Sequence, residues 1–407
     1  MKAKIESIPG GTVTSTPGFC AGATCAGIKK TNQPRLDLGI LFAEVPCVTA
    51  GVFTSNHIKS APVVLCQQRL KKGRAIALVA NSGCANAYTG EQGMADAEEM
   101  TALTARCLGV SPEDVLVAST GVTGQTLPMP LIRAGLNQIV LTRGEDGGHD
   151  LVRAIMTTDT VPKEAAVKVT TDDSRFTIGG ITKGAGMIHP NMGTMLCFLT
   201  TDAAVTLEFL KEALQKAADI SFNMVTVDGD TSPSDTVIIM ANGQAGNQPI
   251  TPESASSAAF QQALNQVCIH LAKAIAHDGE GATKLIEVTV DGATSLVDAR
   301  LVARTVAGSS LVKTAIHGAD PNWGRVIAAM SRAGVEVVEN KIDLAIGGIS
   351  LVKGGRPLSF DEPSVVRALK QSEILIKLHL NLGTASATAW GCDLSEEYVK
   401  INSEYMT

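Results

Sequence analysis

The residues best suited to do chemistry lie in a glycine-rich segment near the middle of the chain. Residues 176–201 read FTIGGITKGAGMIHPNMGTMLCFLTT. Glycines and Pro190 allow the backbone of this stretch to bend sharply, and an apolar strand is predicted directly after Thr194, from Met195 to Leu199. A hydroxyl residue between a strainable loop and a buried strand is well placed to attack the carbonyl of Gly193.

This attack would cut the chain. Transfer of the Gly193 carbonyl to the Thr194 hydroxyl would turn the peptide bond into an ester, and water would then release Thr194 as a new N-terminus. The freed α-amino group, with an ordinary pKa of roughly 7.7–8, could take the proton of its own hydroxyl. One residue would thus supply both nucleophile and base. On composition alone, a glycine-rich turn that simply enters a core strand is the commoner explanation.

Alternating strands and helices are predicted around this segment. Short apolar runs rich in β-branched residues indicate buried strands, and apolar positions repeating near 3.6 residues indicate helices. The predicted strands are Ala75–Ala80, Val115–Ala118, Val167–Thr171 and Leu285–Val290, and the predicted helices are Met94–Leu108, Leu131–Leu141, Leu207–Phe222 and Phe260–His277. No Pro/Ser-rich linker divides the chain, and a smaller αβ lobe is expected at about 285–400.

Composition excludes several classes of protein. The 407 residues are 45% hydrophobic and only 3% aromatic, and 34 basic against 40 acidic side chains give a formal charge of −6. Nucleic-acid binding is not expected without a basic excess or aromatic residues for base stacking. Nine cysteines with no C-x-x-C pair favour a cytoplasmic protein over a disulfide framework or a zinc ribbon. We also expect no signal peptide and no membrane span, because the apolar runs are too short.

The central segment resembles a known self-cleavage motif. Residues 183–196, KGAGMIHPNMGTML, are similar to the Lys-Gly-(Ser/Ala)-Gly-Met-Ile-x-Pro-Asn-Met-Ala-Thr-Met-Leu segment of the ornithine acetyltransferase family, the bifunctional glutamate N-acetyltransferases of arginine biosynthesis. Members of that family cut themselves before the threonine. The resemblance covers nearly the whole chain, and its other matching stretches are 81–83 with 86–87, 119–122, 157–160, 227–232, 279–284, 320–325 and 398–407.

The resemblance implies a fold and a reaction. The implied fold is α/β, with two facing β-sheets flanked by helices, of the N-terminal-nucleophile type, and a second, smaller αβ lobe. Cleavage would give segments 1–193 and 194–407 that share one core and assemble as a heterotetramer, two copies of each. In the implied ping-pong reaction, Thr194 takes the acetyl group from N2-acetylornithine and glutamate collects it. No metal or organic cofactor is implied, and acetyl-CoA is left open as a second acetyl donor.

The family also implies roles for residues outside the motif. Thr120 and Gly121 follow the strand Val115–Ala118 and would form the oxyanion hole, where a side chain at position 121 would crowd the acyl carbon. The implied substrate-binding residues are Thr157, Lys183, Thr194, Glu280, Asn402 and Thr407. The residues themselves add one expectation, that Lys183 reaches a carboxylate, because a buried unpaired lysine is costly. Without the family, an ordinary turn at 120–121 and a frayed C-terminus would be sufficient explanations.

Two acidic loops suggest a metal site as an alternative. The candidate ligand sets are His277, Asp278 and Glu280 in one loop and Asp228, Asp230 and Asp235 in the other. Neither loop has the spacing of an EF-hand. We therefore expect no metal, and interpret these carboxylates as parts of Asx-turn hydrogen-bond networks.

Three departures from the family pattern leave other functions open. Gly193 stands where the family usually has Ala, Cys84 replaces an Asn, and Pro233-Ser234 replaces Thr-Asn. Because glycine keeps the scissile carbonyl sterically open, we expect cleavage to survive, at a rate that the change could alter. One alternative is an N-terminal-nucleophile aminopeptidase or amidase that passes the acyl group to water. The other is a binding protein that is no longer cleaved because Gly193 replaces the usual Ala.

Overall fold

The computed structural model describes residues 3–30, 33–189 and 195–404. Its strands are β1 (Lys4–Ser7), β2 (Phe19–Thr24), β3 (Leu38–Phe53), β4 (Arg74–Asn81), β5 (Val115–Ser119), β6 (Lys163–Thr170), β7 (Arg175–Lys183), β8 (Leu196–Thr201), β9 (Val225–Thr226), β10 (Thr236–Ala241), β11 (Leu285–Ala293), β12 (Asp343–Ile346), β13 (Ile349–Lys353), β14 (Arg356–Pro357), β15 (Glu373–His379) and β16 (Ala385–Cys392). Its helices are α1 (Ala61–Arg69), α2 (Gly90–Leu108), α3 (Met129–Leu136), α4 (Glu145–Ile155), α5 (Leu207–Asp219), α6 (Ser257–His277), α7 (Leu296–Ala307), α8 (Ser310–His317), α9 (Trp323–Ser331), α10 (Glu362–Leu369) and α11 (Glu396–Ser403). Within the described ranges, no helix has both the length and the apolarity needed to cross a bilayer.

A nine-stranded sheet contains the strand that follows Thr194 in sequence. Its order is β1-β6-β7-β8-β10-β3-β4-β5, with β2 paired to β3. Strand β8 lies inside this sheet, antiparallel to β7 and parallel to β10. All 6 residues of β8 are buried, as its apolar sequence predicts for a strand covered on both faces.

A second sheet has seven strands in the order β14-β13-β12-β15-β11-β16-β9 and is built mostly from residues after Leu285. Helix α6 contacts β6 and β7 of the first sheet and β9 and β16 of the second, and α5 packs beside α6. One apolar core continues through both helices from sheet to sheet. Helices α1, α2 and α4 pack on strands of the first sheet and α7 on the second. The expected α/β class, with two sheets flanked by helices, is confirmed.

Helix boundaries agree with the sequence where the stop signal is local. Helix α2 ends before Gly109, whose left-handed φ of 69° caps the helix as predicted. The prediction of a helix over Leu131–Leu141 is wrong at its end, because α3 stops at Leu136. Beyond it, Thr142 forms an antiparallel bridge with Ala21 of β2, so a long-range pairing takes the place of the next helical turn.

Candidate active site

Six of the residues predicted from the sequence line one cavity of about 330 Å³. They are Thr120, Gly121, Thr157, Lys183, Glu280 and Asn402. They come from the end of β5, the loop before β6, the end of β7, the loop after α6 and the C-terminal helix α11. The predicted cleavage-site residues Gly193 and Thr194, and the predicted substrate residue Thr407, lie outside the described residues.

Lys183 stands beside the strand that follows Thr194. It is the last residue of β7 and pairs with Leu196, the first residue of β8. Its Nζ donates to Thr157 Oγ1 at 2.8 Å and to Thr120 Oγ1 at 3.5 Å, and lies 3.9 Å from Asp159 Oδ2. The expectation that this buried lysine reaches a carboxylate is confirmed, and the carboxylate is that of Asp159.

The ends of β4 and β5 shape the turn at residues 120 and 121. These strands are parallel and bring Asn81 beside Ser119, whose hydroxyl donates to Asn81 Oδ1 at 2.7 Å. The Thr120 backbone N–H donates to the Asn81 carbonyl at 3.1 Å, so this amide is occupied. The Asn81 side-chain amide donates to the carbonyl of Cys84 at 2.9 Å and closes the loop from the other side. Asn81 therefore fixes the turn.

Two donors of this turn remain available to a bound group. The Thr120 hydroxyl accepts from Lys183, which leaves its own proton free to be donated. The Gly121 N–H makes no hydrogen bond to any residue that the structure describes. Gly121 has φ +125°, and a Cβ there would lie 2.4 Å from the carbonyl carbon of Gly83. Only glycine fits, and the turn offers one hydroxyl and one amide to an oxygen in the cavity.

Cys84, one of the departures from the family pattern, is a buried thiol in this region. Its Sγ donates to the Gln125 carbonyl at 3.2 Å. Burial raises the pKa of the Cys84 thiol, so the group stays neutral near neutral pH. A small hydrogen-bonded thiol satisfies the position without an amide.

A carboxylate in the cavity wall is held by two polar side chains. Glu280 Oε1 accepts from Thr158 Oγ1 at 2.7 Å, and Oε2 accepts from Asn402 Nδ2 at 2.8 Å. The backbone N–H of Glu280 donates to the Ala185 carbonyl at 2.9 Å. A Cβ on Gly186 would meet the Glu280 carboxyl at 2.4 Å, so glycine is required for this approach. Helix α11 is thereby docked onto the site through Asn402.

Acidic residues of both candidate metal loops accept hydrogen bonds from the protein itself. Asp228 accepts from the backbone N–H groups of Met187 at 2.6 Å and Ile188 at 3.1 Å. Asp278 accepts from Lys163 Nζ at 2.5 Å. In the described part of the chain, no group of three or more His, Cys, Asp or Glu side chains has the arrangement of a metal site.

Asp235, also a member of these loops, is a residue whose contact the sequence did not indicate. Its Oδ1 accepts from the backbone N–H of Met195, the residue after Thr194, at 3.1 Å. The Met195 carbonyl accepts in turn from the Thr236 N–H at 3.2 Å. Burial raises the pKa of Asp235 well above its usual range, although the Met195 amide opposes this. The chain directly after Thr194 is thus anchored to the start of β10.

Known proteins match the chain along its length. Residues 20–407 match the model of the ArgJ family. An arginine biosynthesis bifunctional protein ArgJ from Dehalococcoides mccartyi is 53% identical over 407 residues, all of both chains. One from Symbiobacterium thermophilum is 52% identical over 403 residues, which is 99% of this chain and all of the relative. A crystal structure of the Bacillus halodurans argJ protein superposes with a TM-score of 0.50 at 47% identity and covers 51% of this chain and 97% of its own.

Proposed function

This chain belongs to the ArgJ family and is an acyltransferase of arginine biosynthesis, and from this premise we propose that it moves the acetyl group of N2-acetylornithine to glutamate. The acetyl group would travel on Thr194, which becomes an N-terminus when the chain cuts itself between Gly193 and Thr194. The proposal rests on one observation: Thr120, Gly121, Lys183 and Glu280 line the same cavity. Lys183 also pairs with Leu196 at the start of β8, the strand that follows Thr194.

The surroundings of the scissile bond favour self-cleavage. Met195 is held through its N–H by Asp235 and through its carbonyl by Thr236, so the chain after the bond is anchored at Met195, and glycine-rich sequence precedes the bond.

The proposed transfer has two steps, each with its own tetrahedral oxyanion, and both use the same oxyanion hole. Thr194 Oγ attacks the acetyl carbonyl while its proton passes to the Thr194 α-amine. The oxygen of the tetrahedral intermediate accepts hydrogen bonds from the Thr120 hydroxyl and the Gly121 N–H. When the carbon–nitrogen bond breaks, the α-ammonium returns the proton to the leaving amine of ornithine. The amine of glutamate then attacks the acetyl ester by the same path in reverse.

Charge in the cavity suits amino-acid substrates. The Lys183 ammonium group and the Glu280 carboxylate lie in the wall of the same cavity, so a ligand with both a carboxylate and an ammonium group can pair with both. Thr157, which accepts from Lys183, and Asn402, which donates to Glu280, hold these two ions in place. Thr407 is proposed as a further substrate contact on the family resemblance alone.

The wider proposal follows the family resemblance. We infer a cytoplasmic enzyme of two copies each of segments 1–193 and 194–407, working without a metal or an organic cofactor. Acetyl-CoA is a candidate second donor, to be tested directly as a substrate.

Two measurements test the proposed function together. Denaturing intact mass spectrometry should find two chains whose masses add up to the 42.3 kDa precursor plus one water molecule. Incubation with N2-acetylornithine should release ornithine quickly only when glutamate is present, with N-acetylglutamate formed in equal amount. Release without glutamate would instead favour the amidase, and one uncut, inactive chain would favour the binding protein.

Asn402→Ala is expected to raise KM for N2-acetylornithine about tenfold and to leave self-cleavage unchanged. The variant removes the donor to Glu280 Oε2, and hydrogen bonds to a charged group contribute roughly 1.5–3 kcal/mol. Steady-state kinetics on fully cut enzyme measure the effect. Ser403→Ala is the matched control, because Ser403 lies on the same helix and, among the described residues, its hydroxyl bonds to the Lys400 carbonyl alone. An equal KM in all three proteins would remove Asn402 from the site.

The pH dependence of kcat is expected to follow an α-amine and not a histidine. Activity should rise through an apparent pKa of roughly 7–8, because the free amine is the base. His189 is the nearest histidine in sequence, and its Nδ1 lies 3.2 Å from Thr226 Oγ1. Burial and Arg304 lower the pKa of His189, so it is already neutral at neutral pH. His189→Ala should retain the wild-type profile, and loss of transfer in fully cut His189→Ala enzyme would require a Thr–His pair instead.

A further inference from the structure

Lys183 of the cavity wall belongs to a row of four buried charges of alternating sign. Asp278, Lys163, Asp159 and Lys183 follow one another, and their side chains are between 0% and 6% exposed. Lys163 Nζ lies 2.5 Å from Asp278 Oδ2 and 2.7 Å from Asp159 Oδ1. Removing so many charges from water is costly, and such networks are often no more stabilising than apolar side chains. Stability alone therefore does not explain this row of charges.

Asp159 is the centre of this row. Besides Lys163, its carboxylate accepts from the backbone N–H of Thr157 at 3.0 Å and of Gly184 at 2.7 Å. It thus ties the loop that carries Thr157 to the end of β7 that carries Lys183. Burial alone would raise the pKa of Asp159, but Lys183, Lys163 and the Gly184 amide outweigh burial and hold that pKa well below its usual range. The carboxylate is charged at every working pH.

Lys183 depends on this charge. Burial lowers the pKa of Lys183, and Asp159 is the strongest influence in the opposite direction. The titratable groups that act on Lys183, or on which it acts, are Lys29, Asp159, Lys163, Asp235 and Glu280. An ammonium group has three donors, of which Thr157 and Thr120 take two. Among the described residues, no hydrogen-bond acceptor other than these two hydroxyls is within reach of Lys183 Nζ, which lies in the cavity wall with Asp159 Oδ2 3.9 Å away.

We propose that Asp159 is a positioning residue for substrate binding, whose carboxylate keeps Lys183 a cation directed at the cavity and ready to bind a substrate carboxylate. The inference rests on the proposed function, in which Lys183 contacts the amino-acid substrate. Asp159 itself does not line the cavity, so it acts through Lys183 and through the backbone of Thr157.

Asp159→Asn is expected to raise KM for N2-acetylornithine about tenfold at pH 8, with the difference from wild type shrinking toward pH 6. Without the carboxylate, the pKa of Lys183 falls further below its ordinary value, so less of Lys183 is protonated at a given pH. Lowering the pH restores the cation and with it the affinity. A merely structural role would change KM equally at all pH values. The kcat of cut enzyme should change less than KM, since the Thr194 amine and the oxyanion donors are retained.

Asp202→Asn is the matched control. Asp202 follows the far end of β8, is buried, and accepts a backbone hydrogen bond from Thr177 at 2.6 Å, but does not line the cavity. Its KM profile should equal that of wild type. If Asp159→Asn gives no folded, cut enzyme, NMR titration of labelled lysines in wild type decides, with the Lys183 signal assigned by its absence in Lys183→Arg.

The possible outcomes are distinct. The inference is supported if Lys183 stays protonated through pH 8 in the wild type and if Asp159→Asn, where it folds, shows the shifted KM profile. A neutral Lys183 at pH 7, or Asp159→Asn enzyme with wild-type KM at every pH, overturns it. A wild-type enzyme that transfers no acetyl group from N2-acetylornithine would contradict the proposed function instead.

Discussion

Thr194→Ala should leave a single uncut chain with no measurable transferase activity. In the proposed mechanism the same Oγ attacks the Gly193 carbonyl in the precursor and the acetyl group in the mature enzyme, so its removal stops both reactions. Loss of a covalent nucleophile costs at least about 10³ in kcat even where residual catalysis persists. Denaturing mass spectrometry and the acetyl transfer assay report the two losses separately.

Thr194→Ser is the matched control for this experiment. A serine retains the hydroxyl and the α-amine, so the variant should still be cut and should transfer acetyl groups at a reduced rate. The decisive result against the model would be an alanine variant that appears as two chains cut at the same bond. Cleavage by another group would then have to be found.

Local sequence signals predicted much of the framework around the site. The apolar run after Thr194 predicts a strand, which is observed as Leu196–Thr201, because a buried strand needs only a short continuous apolar sequence. Helix α6 was likewise predicted nearly at its observed bounds from its 3.6-residue spacing. The helix predicted over Leu131–Leu141 ends at the wrong residue because local signals do not reveal long-range pairing. The bridge from Thr142 to Ala21 joins residues far apart in sequence.

Only part of the site could be predicted, because local sequence patterns do not show which distant residues meet. A single lysine among glycines indicates that a carboxylate is near, but no local pattern indicates which one, and Asp159 reaches Lys183 only because β6 and β7 pair. Asp278 has a carboxylate that could bind a metal, yet in the folded chain this carboxylate forms an ion pair with Lys163. Buried ion pairs between distant segments depend on topology, which the spacing of charges along the chain does not encode.

The turn at residues 120 and 121 shows how the structure sharpens a prediction from the sequence. The sequence indicates only that both residues follow a strand. In the structure the Thr120 N–H is bonded to the Asn81 carbonyl, so the donors left without a described acceptor are the Thr120 hydroxyl and the Gly121 N–H. A Cβ at position 121 would collide with Gly83, so Gly121→Ala would disturb the backbone as well as the donor. Thr120 is therefore the better position for a test.

Thr120→Val should lower kcat by about 10²–10³ and leave self-cleavage detectable, because one oxyanion donor is lost at constant side-chain volume. Thr120→Ser should retain most of the activity. The valine also removes an acceptor of Lys183, so Thr157→Val, which removes the closer acceptor at 2.8 Å, serves as the control and should raise KM more than it lowers kcat. Because an oxyanion donor acts mainly in the transition state, Thr120→Val should mainly lower kcat, whereas Thr157→Val should mainly raise KM. Wild-type kcat in Thr120→Val would place the second oxyanion donor elsewhere in the cavity.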